Sequence, residues 1–209
     1  MYLYRIVLNP RLKEVRRDVA DAYQMHSTLC RAFCQPEEKC KQSAFLWRLE
    51  LERGSPTNPV VLVLSKQLAD WKRITLTDWL VKEPEGPIDL NDKYKTTCFD
   101  EGRKLRFRLK ANACYNKDGK RHAVKGNGDQ LVWLRGQAAK NGFLVLSSVV
   151  TLQETIKGYP RDGKEITVFS VQYDGMLQIT DRNTFIAAMN NGIGHGKALG
   201  LGLLTAVPQ

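Results

Sequence analysis

The fold is decided by a strand that reads Arg103-Lys104-Leu105-Arg106-Phe107-Arg108-Leu109-Lys110-Ala111-Asn112. Apolar and basic side chains alternate along most of this stretch. Because successive side chains of a β-strand point to opposite faces, this period predicts a strand with one face on a core and a basic face away from it. A half-apolar strand of this kind needs a sheet and a covering layer, so the neighbouring elements decide the architecture.

The elements outward from this strand follow an order that occurs twice. Periodicity and turn signals predict further strands at 2–8, 44–52, 60–64, 143–153, 165–173 and 199–207. They predict helices at 13–20 with 23–33, at 66–72, at 129–141 and at 182–190. The order strand-helix-strand-strand-helix-strand predicts an α+β fold of two tandem ferredoxin-like, RNA-recognition-motif-like βαββαβ domains. We expect the N-terminal domain at 1–114, with a loop at 82–92, and the C-terminal domain at 115–209.

Composition indicates the kind of partner and the compartment. The 32 Lys and Arg exceed the 22 Asp and Glu, and the net charge of +10 favours a polyanionic partner. No apolar run is long enough to span a membrane, and the start of the chain lacks the layout of a signal peptide. Five cysteines without framework spacing are typical of a reducing cytoplasm. His26, Cys30 and Cys34 share a helical spacing, but without a Cys-x-x-Cys pair we predict neither a metal nor a cofactor.

Positive charge is concentrated at four places. They are the strand row Lys104, Arg106, Arg108 and Lys110, the hairpin-like segment with Lys117, Lys120, Arg121 and Lys125, the connection with Lys157, Arg161 and Lys164, and the glycine-rich loop with Gly194, Gly196 and Lys197. Same-face side chains of a strand repeat every ~7 Å, so the first group forms a row of like charges that phosphates would neutralise. We predict that all four places bind RNA. The base-stacking aromatics of an RNA-recognition sheet are not evident, which favours a structured RNA read through its shape and phosphates.

The glycine-rich loop at 192–204 allows two interpretations. Exposed backbone N–H groups beside Lys197 would suit a phosphate. A helix C-cap at Gly192 followed by tight turns would explain the glycines by conformation alone. The loop is not a nucleotide-binding motif, because Ala198 stands where a phosphate-binding loop has Ser or Thr and Leu199 interrupts the dinucleotide glycine pattern. A small-nucleotide enzyme is therefore disfavoured.

Candidate chemistry lies on the helix predicted at 23–33. Tyr23 and His26 are three residues apart, so a phenol and an imidazole share one helix face. An RNA nuclease needs a base for the 2′-OH and an acid for the leaving 5′-oxygen, and histidine suits either task near neutral pH. The internal 2′-OH is the nucleophile, so no metal is required. Which of the two residues takes which proton stays open, and a lone histidine at a helix border is often only a surface residue. Arg31 reaches the same region only if the substrate crosses the helix.

Four segments resemble the CasE family, the CRISPR repeat-processing endoribonuclease of type I-E (Cascade) systems. They are Met1-Tyr2-Leu3, Tyr23-Gln24-Met25-His26-Ser27-Thr28-Leu29, Leu105-Arg106-Phe107-Arg108-Leu109-Lys110-Ala111-Asn112 and Gly192-Ile193-Gly194-His195-Gly196-Lys197-Ala198-Leu199-Gly200-Leu201-Gly202-Leu203-Leu204. The resemblance implies two ferredoxin-like domains and metal-independent cleavage of the CRISPR repeat hairpin, with 2′,3′-cyclic phosphate and 5′-OH ends. It also implies that the protein stays bound to the hairpin and joins other Cascade subunits in antiviral defence.

The resemblance carries over to particular residues of the candidate site. His26 matches the family's catalytic histidine, Tyr23 matches a tyrosine implicated in some members, and Arg31 stands where relatives can carry a lysine. The connection from Lys157 to Lys164 matches the region expected to enter the groove beside the RNA stem. The alternative hypothesis is a non-catalytic scaffold subunit that binds structured RNA, and substitution of His26 by alanine separates the two.

Overall fold

The computed structural model describes residues 1–34, 45–50, 58–84, 86–160 and 163–208. The described chain forms an α+β fold with two compact units. The first unit comprises the described residues of Met1–Asn91, Ile156–Thr167 and Lys197–Gly200, and the second comprises the others. Each unit has a four-stranded sheet. The boundary between the units is therefore not a single point in the sequence, because two segments from late in the chain belong to the first unit.

The first unit is built on β1 (Tyr2–Val7), β2 (Phe45–Glu50), β3 (Val60–Ser65) and β4 (Ile88–Asp89), in the order β2-β3-β1-β4. Helices α1 (Lys13–Ala20) and α2 (Ala22–Phe33) lie between β1 and β2 in the chain. The core comprises buried apolar residues of these elements, among them Ile6, Met25, Leu29 and Phe45, together with Trp79 from the segment between β3 and β4. In place of a full second helix the unit has a 3₁₀ turn at Trp71–Arg73, whereas the sequence predicts a weak helix over 66–72.

The fourth strand of the first unit differs from the sequence-based expectation. The sequence predicts a loop over 82–92, but Ile88–Asp89 pairs with β1, with Leu3 opposite Ile88. A two-residue strand has no periodicity of its own, so only its partner reveals it. With the predicted boundary at residue 114, the strand at 103–112 would be the fourth strand of this unit. That strand instead pairs within the other sheet, and it lies in the second unit.

The second unit follows the order strand-helix-strand-strand-helix-strand. Its elements are β5 (Lys104–Ala111), α4 (Asn127–Lys140), β8 (Phe143–Gly158), β9 (Ile166–Ile179), α5 (Arg182–Asn191) and β10 (Leu204–Pro208). A short helix α3 (Leu90–Tyr94) precedes them, and a separate hairpin of β6 (Cys114–Lys117) and β7 (Lys120–Ala123) follows β5. The sheet order β10-β5-β9-β8 repeats the arrangement of the first unit, with the first and third strands central.

The alternation read from the sequence of β5 is confirmed by its burial. Leu105, Phe107, Leu109 and Ala111 are all buried, and they form one face of the strand. On the other face Lys104 and Arg106 are exposed. The strand thus supplies core contacts to the second unit and presents charge on its opposite side.

Two findings bear on the environment of the chain. Within the described ranges, no helix combines the length and apolar character needed to cross a bilayer. Cys30, Cys98 and Cys114 are free thiols, whereas Cys34, at the C-terminus of α2, is disulfide-bonded. A reducing compartment, which the cysteine pattern predicts, would not favour that bond.

Candidate active site

Helix α2 starts at an acidic N-cap. The Oδ1 atom of Asp21 accepts hydrogen bonds from the backbone N–H groups of Tyr23 at 2.9 Å and Gln24 at 3.3 Å. These are donors that the first turn of a helix leaves without intrahelical partners, and a carboxylate there also complements the helix dipole. The Gln24 side chain donates to the Tyr159 carbonyl oxygen at 3.4 Å.

The predicted catalytic residues occupy different faces of α2. Tyr23 and His26 are both half-buried and lie one turn apart on the same face. Arg31 is exposed, and at about 100° per residue it lies about 140° around the helix from His26. The helix thus brings Tyr23 and His26 together. Arg31 could contact the same substrate only if that substrate extended around the helix.

The ring of His26 is held by two contacts that the sequence pattern did not assign to it. Its plane packs against Phe45, with ring centroids 5.1 Å apart. Its Nε2 atom lies 3.6 Å from the Sγ atom of Cys30. The buried Nδ1 atom has no hydrogen-bond partner among the described residues. Burial lowers the pKa of His26 to about 4, because a charged imidazolium would lose its hydration there. At neutral pH the ring is therefore neutral.

The end of β8 packs against the first turn of α2. The Tyr159 backbone N–H donates to Asp21 Oδ1 at 3.3 Å, so one carboxylate oxygen accepts from both segments. A Cβ atom at Gly158 would lie 3.1 Å from the Tyr23 Cβ and 3.2 Å from the Leu199 Cδ2. A larger residue would be crowded here because of this close approach rather than because of backbone conformation. The start of the basic connection, at residues 157–159, is thereby fixed beside Tyr23.

The glycine-rich loop is explained largely by conformation and packing. Gly192 ends α5 with φ +73°, and its N–H donates to the Ala188 carbonyl oxygen, which confirms the C-cap interpretation. Gly200 has φ +77°, and a Cβ there would lie 2.9 Å from the Trp47 ring. His195 is exposed and Lys197 is half-buried. A phosphate at Gly194, Gly196 and Lys197 remains a prediction.

The basic row of β5 is partly neutralised by neighbouring strands. Arg108 Nε contacts Asp174 Oδ1 at 2.6 Å, and Lys110 Nζ contacts Glu154 Oε1 at 2.5 Å. The Lys110 side chain is only 9% exposed. The sequence predicts four cations without an acid among them, but β8 and β9 supply two acids across the sheet. Lys104 and Arg106 remain the exposed cations of this row.

The other predicted RNA-binding residues are mostly at the surface. Lys117, Lys120, Arg121 and Lys125 on or next to the β6–β7 hairpin are exposed, as are Lys157 and Lys164. Lys157 Nζ contacts Glu165 Oε1 at 2.9 Å, and this hydrogen bond raises the pKa of Lys157. Arg161 lies outside the described residues. Among the residues that the structure describes, no group of three or more His, Cys, Asp or Glu side chains is placed to hold a metal ion.

Taken together, the architecture is that of a tandem ferredoxin-like protein whose first unit carries a neutral histidine beside a tyrosine. Comparison with known proteins makes this class more specific. The family model described as "CRISPR associated protein" matches residues 1–208. The chain therefore belongs to this CRISPR-associated family.

Named relatives agree with this assignment over their whole length. The chain is 35% identical to the CRISPR-associated endoribonuclease Cse3 of Thermus thermophilus, with 100% of both proteins covered. It is 27% identical to the Cascade subunit CasE of Escherichia coli, again over 100% of both. A structure of the Thermus thermophilus protein bound to an RNA representing a pre-cleavage complex aligns with a TM-score of 0.82 and 31% identity, covering 99% of this chain and 98% of that one. The resemblance stated from sequence and the predicted fold class are confirmed.

Proposed function

We propose that this chain binds the CRISPR repeat hairpin and cleaves it without a metal, leaving 2′,3′-cyclic phosphate and 5′-OH ends. The observation that carries the proposal is His26, a neutral and half-buried imidazole one turn from Tyr23 on a firmly capped helix. The Thermus thermophilus relative is named an endoribonuclease, and its structure with an RNA representing a pre-cleavage complex is similar to this chain; both support cleavage of RNA.

The chemistry follows from the state of the two side chains. A neutral imidazole accepts a proton directly, so His26 acts as the base that removes the proton of the 2′-OH. The attack forms the bond from the 2′-oxygen to phosphorus and breaks the bond to the 5′-oxygen, which needs a proton as it leaves. The phenol of Tyr23 is a hydrogen-bond donor on the same helix face and supplies that proton. Bound phosphates also raise the pKa of a nearby imidazole, because an anion favours its charged form.

Positive charge binds the RNA and stabilises the charged transition state. The proposed contacts are the exposed cations of the predicted RNA-binding groups, together with three further cations. The exposed ones are Lys104, Arg106, Lys117, Lys120, Arg121, Lys125, Lys157 and Lys164, and the further ones are Arg31, Arg161 and Lys197. Arg108 and Lys110, each paired with an acid, contribute less. We propose that the protein stays on the hairpin after cleavage and joins Cascade; the Escherichia coli relative is named a Cascade subunit, which supports the assembly. We place it in the cytoplasm, where precursor transcripts are made and the Cys34 disulfide would be reduced.

The test uses the repeat RNA of the source genome in EDTA, together with a copy that carries a 2′-deoxy sugar at the cut site. We expect only the all-RNA hairpin to be cut. The variant His26→Ala should bind the hairpin with unchanged affinity and cut neither RNA. Binding without cleavage by the natural protein would favour the non-catalytic scaffold. Cleavage of the deoxy copy would refute attack by the 2′-OH.

A further inference from the structure

The β6–β7 hairpin presents one face of unusual composition. Tyr115 lies opposite His122, and Lys117 lies opposite Lys120, in the antiparallel register. Directly opposite residues and alternate residues along a strand share a face, so these four side chains point the same way. All four are exposed. We call this surface, Tyr115, Lys117, Lys120 and His122, the ring–lysine face.

The two rings form a stacked aromatic pair. Tyr115 and His122 stack with centroids 5.6 Å apart and planes 23° from parallel. Tyr115 is 51% exposed although it is in contact with His122, so a large part of the ring is open to solvent. A cross-strand aromatic pair contributes to the stability of a hairpin. It also leaves an open π-face on which a further planar group can stack.

The lysines beside the rings have no such structural use. Lys117 and Lys120 are directly opposite each other, an arrangement in which like charges repel. The ring–lysine face carries no acid, and the nearest acid in the chain is Asp118 in the turn. The face therefore combines an open aromatic surface with two ammonium groups about 7 Å further toward the turn.

The base of the hairpin is tied to the second unit. The Val124 N–H donates to the Ala113 carbonyl oxygen at 2.9 Å, and the indole N–H of Trp133 donates to the Cys114 carbonyl oxygen at 3.1 Å. The turn at Asp118 and Gly119 has positive φ at both residues, 52° and 73°, which matches the twist of a two-residue hairpin. Within the described chain the hairpin strands pair only with each other. The ring–lysine face is thus held in place and left uncovered by other strands.

We propose that the ring–lysine face binds an unpaired nucleotide of the RNA, a role that rests on the proposed function. The base stacks on the Tyr115–His122 pair, and the adjoining phosphate contacts Lys117 and Lys120. Charge complementarity selects an anion, and the open rings select one that carries a planar group. Bases inside a stem are covered on both sides by their neighbours, so the nucleotide is an unpaired one, and we assign it to a single-stranded flank of the repeat hairpin rather than to its loop. An acidic peptide would neutralise the lysines but would leave the rings without a partner.

The test compares two RNAs, the bare repeat stem-loop and the same stem-loop with its single-stranded flanks. In Tyr115→Ile a strand-forming residue replaces the ring, and Tyr115→Phe keeps the ring. We expect Tyr115→Ile to bind the flanked RNA between about fivefold and a hundredfold more weakly, the range of base–aromatic stacking. Its affinity for the bare stem-loop should equal that of the natural protein. Tyr115→Phe should bind both RNAs normally, and 2-aminopurine in the flank should be quenched by the natural protein but not by Tyr115→Ile.

A second measurement tests the lysines independently of the ring. The double variant Lys117→Ala, Lys120→Ala should reduce the salt dependence of binding to the flanked RNA, with a slope smaller by about 0.7 on logarithmic axes, the contribution of one phosphate in a single strand. The exposed Lys140 at the end of α4 is the matched control, and Lys140→Ala should leave the slope unchanged.

The outcomes separate the two proposals. If Tyr115→Ile binds the flanked RNA like the natural protein, or loses equal affinity for both RNAs, the nucleotide site is refuted while the nuclease proposal stands. The same holds if the flank adds no affinity for the natural protein. If the natural protein binds neither RNA, the proposed function fails and the nucleotide site fails with it.

Discussion

Replacement of Asp21 by alanine tests the link between the end of β8 and the helix that carries His26. Asp21 Oδ1 accepts from Tyr23, Gln24 and Tyr159, so the substitution removes three hydrogen bonds at once. Loss of an N-cap costs about 1 kcal/mol. Loss of the acceptor for the partly buried Tyr159 N–H costs about 1 kcal/mol more, because water replaces only part of that bond. We expect Asp21→Ala to lower the free energy of unfolding by about 2 kcal/mol.

The effect on function follows from the same contacts. Without Asp21 the end of β8 is no longer fixed against the first turn of α2, and Tyr23 loses its backbone anchor. We expect cleavage at saturating RNA to slow by roughly ten- to a hundredfold, the penalty of a small misplacement of catalytic groups. Single-turnover cleavage of the repeat RNA measures this rate, and urea unfolding measures the stability.

Asp21→Asn is the matched control, because asparagine keeps an oxygen acceptor and is an equally good N-cap. It should retain most of the stability and most of the cleavage rate. Equal losses of stability in the alanine and asparagine variants would contradict this role of Asp21. A cost of less than about 0.5 kcal/mol for Asp21→Ala, typical of an ordinary surface substitution, would contradict it as well.

Three further predictions concern charge, packing and pH. Burial lowers the pKa of His26 to about 4 from an ordinary 6.5. The contribution of His26 to the free energy of unfolding should therefore be complete above about pH 6.5 and should fall by about 3 kcal/mol as the pH is lowered to about 4, as measured by urea unfolding. The variant His26→Asn should not show this pH-dependent loss. The double variant Lys104→Glu, Arg106→Glu should weaken repeat-RNA binding and reduce its salt slope, and an unchanged slope in filter binding contradicts a contact there. Gly158→Ala should lower the free energy of unfolding by about 1–3 kcal/mol, because the added methyl group crowds Tyr23. Gly136→Ala, at a position on α4 with open space around it, should raise the free energy of unfolding by up to about 1 kcal/mol, and thermal unfolding measures both changes.

Local patterns predicted the parts of the fold that local residues determine. The alternation in β5 predicted both the strand and its buried face, because alternate side chains of a strand point to the same side and the apolar ones are those that the core buries. The two-residue strand β4 could not be found in this way, because Ile88 and Asp89 are strand only through their pairing with β1. The sheet to which β5 belongs depends likewise on β9 and β10, which come far later in the chain.

The candidate site likewise combines features of a single helix with features that depend on contacts between separate elements. The spacing of Tyr23 and His26 is a property of one helix, and it was readable from the sequence. The stacking of Phe45 on His26 joins two separate elements, so it required the folded structure. The acids opposite Arg108 and Lys110 depend on which strands neighbour β5, which no single-strand pattern reveals.

The composition of the first unit has a consequence for biosynthesis. Its packing includes Gly158 against Tyr23, and Gly200 against the Trp47 ring, although both glycines follow most of the second unit in the chain. During translation the helix with His26 emerges early, but the segments that pack on it leave the ribosome seconds later at ordinary elongation rates. The proposed nuclease site is therefore completed only after residue 200 has been synthesised. A nascent chain should carry no cleaving activity toward the CRISPR transcripts around it until that point.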